Sequence, residues 1–178
     1  MLEIRMIDAK RKGDINLPNE PFPLFGRMIP SYINEQWQYR IVRFGEDALC
    51  EMCFPDENYD YEQLSKNSFF VGAYDGNQCV GLAILQRAMM KYMYLYDLKV
   101  NLAYRGQKVG SQLIEKAKEI ALGQGYRGIY TQGQDNNLGA CLFYIQNGFV
   151  IGGLDTYVYT GTSQEGKSDI LFYLDVNQ

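Results

Sequence analysis

Tyr92-Met93-Tyr94-Leu95-Tyr96-Asp97-Leu98-Lys99-Val100, followed by Asn101-Leu102-Ala103-Tyr104-Arg105-Gly106-Gln107-Lys108-Val109-Gly110-Ser111, decides how the chain is read. The first nine residues are rich in aromatic and branched side chains and read as a strand. From about Lys108 to Leu122 the apolar residues Val109, Leu113, Ile114, Ala117, Ile120 and Ala121 recur at three- and four-residue spacing, with Lys and Glu between them and Gly123 and Gly125 beyond. That spacing predicts an amphipathic helix lying on a sheet. A glycine-containing turn from strand to helix aims unpaired backbone N–H groups at one spot, and the helix dipole adds about half a positive charge there. A pyrophosphate could therefore sit on Arg105, Gly106, Gln107, Lys108, Val109, Gly110 and Ser111 without a side-chain cage; the other reading is an ordinary strand-to-helix turn. The stretch contains neither a G-x-x-x-x-G-K-[ST] loop nor a three-glycine dinucleotide fingerprint.

Upstream, Phe69 to Tyr74 and Cys79 to Leu85 are β-rich runs separated by Asp75-Gly76-Asn77, which predicts a hairpin. Gln36 to Phe44 alternates as an early strand, and the acidic stretch from Glu46 to Glu62 is expected to hold a helix and loops. All prolines lie at or before Pro55, so residues 1–35 are expected to be a loop-rich leader, with regular structure densest after it. Downstream, Gly128 to Thr131 reads as a short strand and Leu138 to Asn147 as a helix closed by Gly148. Phe149 to Tyr159 and Asp169 to Asp175 read as two last strands. Antiparallel strands followed by strand-helix-strand-helix-strand-strand predict a mixed α/β (α+β) fold, a mostly antiparallel sheet with helices on its faces.

The 178 residues are 47% hydrophobic and 21% charged, a balance that fits one compact domain spanning 1–178. The formal net charge is -4, with no basic segment to capture nucleic acid or anionic lipid, so a cationic partner fits better. There is no histidine, which excludes Ser-His triads, Cys-His dyads and imidazole metal ligands; no metal is expected. The N-terminal stretch lacks the apolar core of a signal peptide and no run approaches the ~20 apolar residues of a membrane span, so a cytoplasmic protein is expected. Cys50, Cys53, Cys79 and Cys141 then read as reduced thiols used as small apolar fillers.

A second group, Gln134-Asp135-Asn136-Asn137 with Ala140, Tyr144, Gly148 and Phe149, places Asn137 at a helix start and sets Ala140 and Tyr144 four apart on one face. Tyr144 could look along a groove; alternatively it packs in the core, with Asp135 or Asn136 capping the helix.

Together the two stretches resemble the GNAT acetyltransferases, whose R/Q-x-x-G-x-G/A turn binds the pyrophosphate of acetyl-CoA and whose N-x-x-A-x-x-x-Y-x-x-x-G-F segment lies beside the thiol. The second pattern is complete here. The first runs Arg105-x-x-Lys108-x-Gly110, with Lys108 in place of the central glycine; if that position needs positive φ, lysine costs ~1 to 2 kcal/mol. Within the family the chain looks most like streptothricin acetyltransferases. The likeness rests on Asn19-Glu20-Pro21-Phe22, Gly26 to Pro30 and Glu35-Gln36-Trp37, and on Gln134 to Leu138, Ala140-Cys141, Phe143-Tyr144, Gly148-Phe149 and Asp155-Thr156. Where those enzymes carry adjacent Glu-Asp, this chain has Tyr96-Asp97.

The resemblance implies direct N-acetylation, from acetyl-CoA, of a primary amine on a small cationic acceptor, a streptothricin-type antibiotic or alternatively a polyamine, another aminated compound or a protein amine; the other alternative, motivated by Lys108 and Tyr96, is a non-catalytic acyl-CoA-binding sensor domain. A monomer or homodimer is expected. The resemblance also implies a bulge in the strand before the turn, freeing N–H groups around Leu98, Lys99 and Val100 for the thioester carbonyl. Asn137 and Tyr144 would border the cofactor, and Tyr96, Asp97 and Asp135 the acceptor. An alkylammonium has a pKa of about 10.4, so a base or water chain must take its proton. Asp97 is the first candidate for that base, and otherwise an orienting anion or a residue facing away; Tyr144 is the candidate acid for the thiolate.

Overall fold

The computed structural model describes residues 2–176. In chain order it holds β1 (Glu3–Met6), a 3-10 segment (Ala9–Asn16), β2 (Phe22–Leu24), β3 (Gly26–Ile33), β4 (Gln36–Arg43), β5 (Cys50–Met52), α1 (Tyr61–Leu64), β6 (Ser68–Asp75), β7 (Gln78–Gln86), β8 (Tyr92–Val100), α2 (Val109–Gly123), β9 (Gly128–Gln134), α3 (Leu138–Gln146), β10 (Val150–Asp155) and β11 (Asp169–Asp175). Short 3-10 turns also occur at Glu46–Ala48 and Leu102–Tyr104. The fold is mixed α+β, with mostly antiparallel strands flanked by helices.

One compact unit runs up to Pro21, from Cys53 to Ile129, and on from Asp175. Its strands lie in the order β1-β6-β7-β8, each pair antiparallel. The β6–β7 hairpin turns at Gly76, whose φ of 57° explains a glycine there. Both faces are covered, which is why Cys79 to Leu85 in β7 is one unbroken buried apolar run. Gly81 approaches Leu113 and Val109 of α2 on one face. On the other face Leu82 and Ile84 join Ile7, Ile15, Leu17 and Phe70, with Tyr59, Tyr61 and Leu64 packed against them. The buried positions of α2 are Val109, Leu113, Ile114, Ala117 and Ala121, the predicted stripe except for Ile120.

The other unit comprises Phe22–Met52 and Tyr130–Leu174. Here β3 and β4 form a two-stranded hairpin and β2 pairs with β5. The hairpin turns at Asn34 and Glu35, both left-handed at φ 50° and 62°. β10 and β11 pair antiparallel, and α3 buries Leu138, Cys141 and Tyr144.

Four expectations need correction. Residues 1–35 are not loop-rich, for they carry β1, the 3-10 segment, β2 and all of β3. Pro23 and Pro30 sit within β2 and β3, whose two-stranded ribbons each leave an open edge where a missing N–H breaks no ladder. The strand expected to reach Tyr159 stops at Asp155, whose carboxylate accepts from the N–H groups of Tyr157 and Val158 at 2.8 and 3.0 Å and closes a turn. Cys50 and Cys53 are exposed rather than core fillers; only Cys79 and Cys141 are buried. Finally, β9 continues three residues past Thr131, to Gln134.

Candidate active site

The turn after β8 is open. Gly106, Gln107 and Lys108 are exposed while Val109 is buried as the anchor of α2. Gly106 has φ 75° and a Cβ built on it meets nothing within 4 Å, so the backbone is approachable from outside. Lys108 is the N-cap residue of α2 and lies in left-handed space at φ 63°, ψ 13°. The conditional cost of lysine there is therefore incurred, about 1 to 2 kcal/mol. A 15-residue helix leaves its first N–H groups without intrahelical partners beside an ammonium and an open glycine. These residues fit the diphosphate of acetyl-CoA.

Arg105 serves a different purpose from a free phosphate ligand. Its Nε donates to the Val100 carbonyl at 2.9 Å and its terminal nitrogens donate to the carbonyls of Pro21 and Glu20 at 2.7 and 3.4 Å. The Leu102 N–H donates to the Glu20 carboxylate. Arg105 thus ties the end of β8 and the Glu20-Pro21 segment into the turn. Gln107 closes it further, donating to the Ala103 carbonyl at 2.8 Å.

A bulge in β8 re-aims the candidate base. Ile84 pairs with Asp97 but the next position, Leu85, pairs with Leu95, so Tyr96 is the surplus residue. In a regular strand Met93, Leu95, Asp97 and Lys99 would share one face. Instead Met93 and Leu95 are buried at 0% and 1% exposure, while Asp97 and Lys99 follow the register of Ile84 and Leu82 onto the opposite face, with Tyr94. Tyr96 is directed there too, its ring 5.8 Å from Tyr94 and 5.9 Å from Tyr59. Leu98, Lys99 and Val100 pair along β7 with Ala83, Leu82 and Gly81.

On that face Asp97 Oδ2 accepts from the Tyr59 hydroxyl at 3.2 Å and lies 3.1 Å from Lys99 Nζ. Lys99 Nζ also reaches Glu57 Oε2 at 2.6 Å, and Asn19 Nδ2 donates to the same oxygen at 2.9 Å. Burial pushes the Asp97 carboxyl above the ordinary range, against the pull of the Lys99 ammonium. Burial acts on Glu57 the same way, but its hydrogen bonds from Lys99 and Asn19 prevail and its pKa is lowered. Burial, with Asp97 next to it, raises the Tyr59 hydroxyl and keeps it a donor. Sequence reading found Asp97 and Tyr96 but not the grouping with Glu57, which arrives from a loop some forty residues earlier that has no periodicity to read.

The second sequence group is built on α3. Asn137, rather than Asp135 or Asn136, caps the helix, its side chain accepting from the Ala140 N–H at 3.2 Å. Gly148 ends it with φ 86°. Tyr144 is 8% exposed, with ring centroids of Phe172, Phe149 and Phe143 at 5.2, 5.3 and 5.6 Å. Cys141 is buried beside it; burial, then Asp135 and Asp169, push its thiol up to about 12, so it stays neutral. The Asp135 carboxylate lies 3.2 Å from Arg27 Nε and accepts from the Ser168 N–H at 3.2 Å. Its carbonyl accepts from Met28 at 2.9 Å, so this residue is a fixed joint between β3 and the residue before β11.

Comparisons with known proteins point to one family. Residues 31–149 match the Acetyltransferase (GNAT) family. Streptothricin acetyltransferase A of Bacillus subtilis (strain 168) is 34% identical over 161 residues, covering 90% of this chain and 92% of that one. A crystal structure from Bacillus anthracis str. Ames, of a protein designated a streptothricin acetyltransferase and bound to acetyl coenzyme A, superposes with TM-score 0.87 at 28% identity, covering 98% of this chain and 99% of that one. Nourseothricin acetyltransferase shares the fold at TM-score 0.80 and 21% identity, covering 98% of each chain. By the match over residues 31–149 and the 34% identity over 90% of its length, the chain belongs to the GNAT family and is an N-acetyltransferase that uses acetyl-CoA as donor.

Proposed function

We propose that this enzyme acetylates a primary amine of a small cationic acceptor of the streptothricin type, and that Asp97 and Tyr144 manage the protons. The observation that carries the reading is the β8 bulge, which sets Asp97 on a face with Tyr59, Tyr94 and Tyr96, an anionic and aromatic wall suited to an ammonium. The 34% identity to a streptothricin acetyltransferase over 90% of the chain supports the same acceptor class.

Acetyl-CoA supplies an activated acetyl group on a thiolate leaving group. The turn from Arg105 to Ser111 binds and orients it through its diphosphate, and the peptide N–H groups of the Leu98 to Val100 segment hold the thioester oxygen. The acceptor arrives as an ammonium. Asp97 takes one proton and returns it to solvent; as the N–C bond forms and the C–S bond breaks, Asp97 takes the second amine proton while the Tyr144 phenol protonates the departing sulfur, and that second proton, passed on through solvent, restores the phenol. The products are the amide, the CoA thiol and one released proton. Cys141 takes no part in this direct transfer.

The test is acetyl-CoA consumption across streptothricin, a polyamine, an aminoglycoside and a peptide amine, preceded by thermal melts with CoA. CoA at a hundred times its dissociation constant should add ~2.7 kcal/mol of stability. Preferential turnover of streptothricin supports the reading; faster turnover of another amine replaces the acceptor.

A further inference from the structure

We propose that Lys99 is a positioning residue for Asp97, fixing the orientation of its carboxylate and holding it ionised, and that Glu57 sets how strongly Lys99 does so. The inference rests on the reading of Asp97 as the base. It begins with the bulge, which puts Asp97 and Lys99 two residues apart on the same face of β8. Both side chains are nearly buried, 14% exposed for Asp97 and 10% for Lys99. The ammonium lies 3.1 Å from Asp97 Oδ2 and 2.6 Å from Glu57 Oε2.

The Tyr59 hydroxyl donates to the same oxygen, Oδ2, of Asp97 at 3.2 Å. Two donors on one oxygen pin the carboxyl plane and direct the lone pairs of Oδ1 elsewhere, toward an incoming amine. The groups sharing the face of Asp97 are Lys99, Tyr94 and Tyr96 on its own strand, Glu57 and Tyr59 from the segment before α1, and the apolar Ile84 across the β7 register. The ammonium opposes the burial that favours the neutral acid, whereas the Glu57 carboxylate works against the Asp97 charge both directly and by drawing on Lys99. Two carboxylates on one ammonium leave a single net negative charge, which matches one acceptor ammonium.

Titration of Asp97 in the full-length protein labelled with 13C-aspartate, its signal assigned with Asp97→Asn, tests this without any turnover. Lys99→Met should move the Asp97 titration up, Glu57→Gln should move it down, and Lys99→Arg should stay near the parent. The acid limb of kcat/KM for streptothricin, or for whichever panel amine turns over, should move in step. Lys99→Met is expected to lose roughly tenfold at pH 6 and to recover as pH rises, since an opposite charge at this range shifts a carboxyl by about a unit or more. An unmoved Asp97 titration in Lys99→Met, or movement of Lys99→Met and Glu57→Gln in the same direction, overturns the proposal. If Lys99→Met does not fold, the sign of the Glu57→Gln change decides alone. If the titrations move as stated and the rate limb does not, Asp97 is not the base, and it is the function reading that fails.

Discussion

Gly106 and Lys108 stand two residues apart at φ 75° and 63°, so the turn into α2 enters left-handed space twice, once with a residue suited to it and once without. The space around Gly106 is empty within 4 Å and both residues are exposed, so no packing compensates Lys108. Lys108→Gly should therefore stabilise the fold by about 1 kcal/mol. For a chain of this size that corresponds to a rise of roughly 2 to 4 °C in Tm. A fall in Tm would mean that the ammonium contributes more to the folded turn than the backbone strain removes.

Asp97→Asn removes the acceptor for the amine proton while keeping shape and the Tyr59 contact. Turnover of streptothricin near pH 7 should drop by roughly 10²-fold or more. Because burial raises the Asp97 pKa, the parent should lose activity on acidification at a higher pH than an exposed aspartate would dictate. The loss in the variant should shrink as pH rises and more of the amine is already neutral in solution. A loss of constant size at every pH would assign Asp97 to orienting the acceptor.

Tyr144→Phe keeps the ring among Phe143, Phe149 and Phe172 and removes only the hydroxyl. Stability should change by no more than about 1.5 kcal/mol, CoA should still shift the melting curve, and kcat should fall by roughly 10²-fold. An unchanged kcat would remove the phenol from proton delivery.

The cysteines offer a check on burial. Cys50 and Cys53 are exposed, whereas burial pushes the thiols of Cys79 and Cys141 up to about 11 and 12. A thiol reagent at pH 8 should modify Cys50 and Cys53 in the native protein and reach the other two only on unfolding. Labelling of Cys141 in the folded enzyme, located by peptide mass mapping, would contradict its place on the buried face of α3.

Elements with one dominant local signal were legible in advance. Tyr92 to Val100 is β8 to the residue, Asp169 to Asp175 is β11, and the hairpin around Gly76 and the start of α3 fell where turn and cap chemistry put them. The front was misjudged because proline is read as a strand breaker, and that holds only where a strand is paired on both sides; β2 and β3 each have one partner. The end of β10 was missed because Thr156 to Tyr159 has strand-like side chains while a single aspartate folds the backbone into a turn. At the site, Asp97, Tyr144 and the Arg105 to Ser111 turn were named from pattern and resemblance. Arg105 as a brace and the Glu57–Lys99 pair required coordinates, since each joins residues separated by tens of positions.

The surplus residue at Tyr96 lets β8 change phase halfway along. Deleting Tyr96 would set Leu95 next to Asp97, and strict alternation would then keep Leu95 buried and Asp97 and Lys99 on the side of Tyr59 and Glu57. Flattening the bulge with the length unchanged would instead carry Asp97 and Lys99 onto the face of Leu95 and strand two charges without Glu57. Downstream there is no such slack: deleting Leu98 would put Asp97 and Lys99 on opposite faces and part the ammonium from its carboxylate.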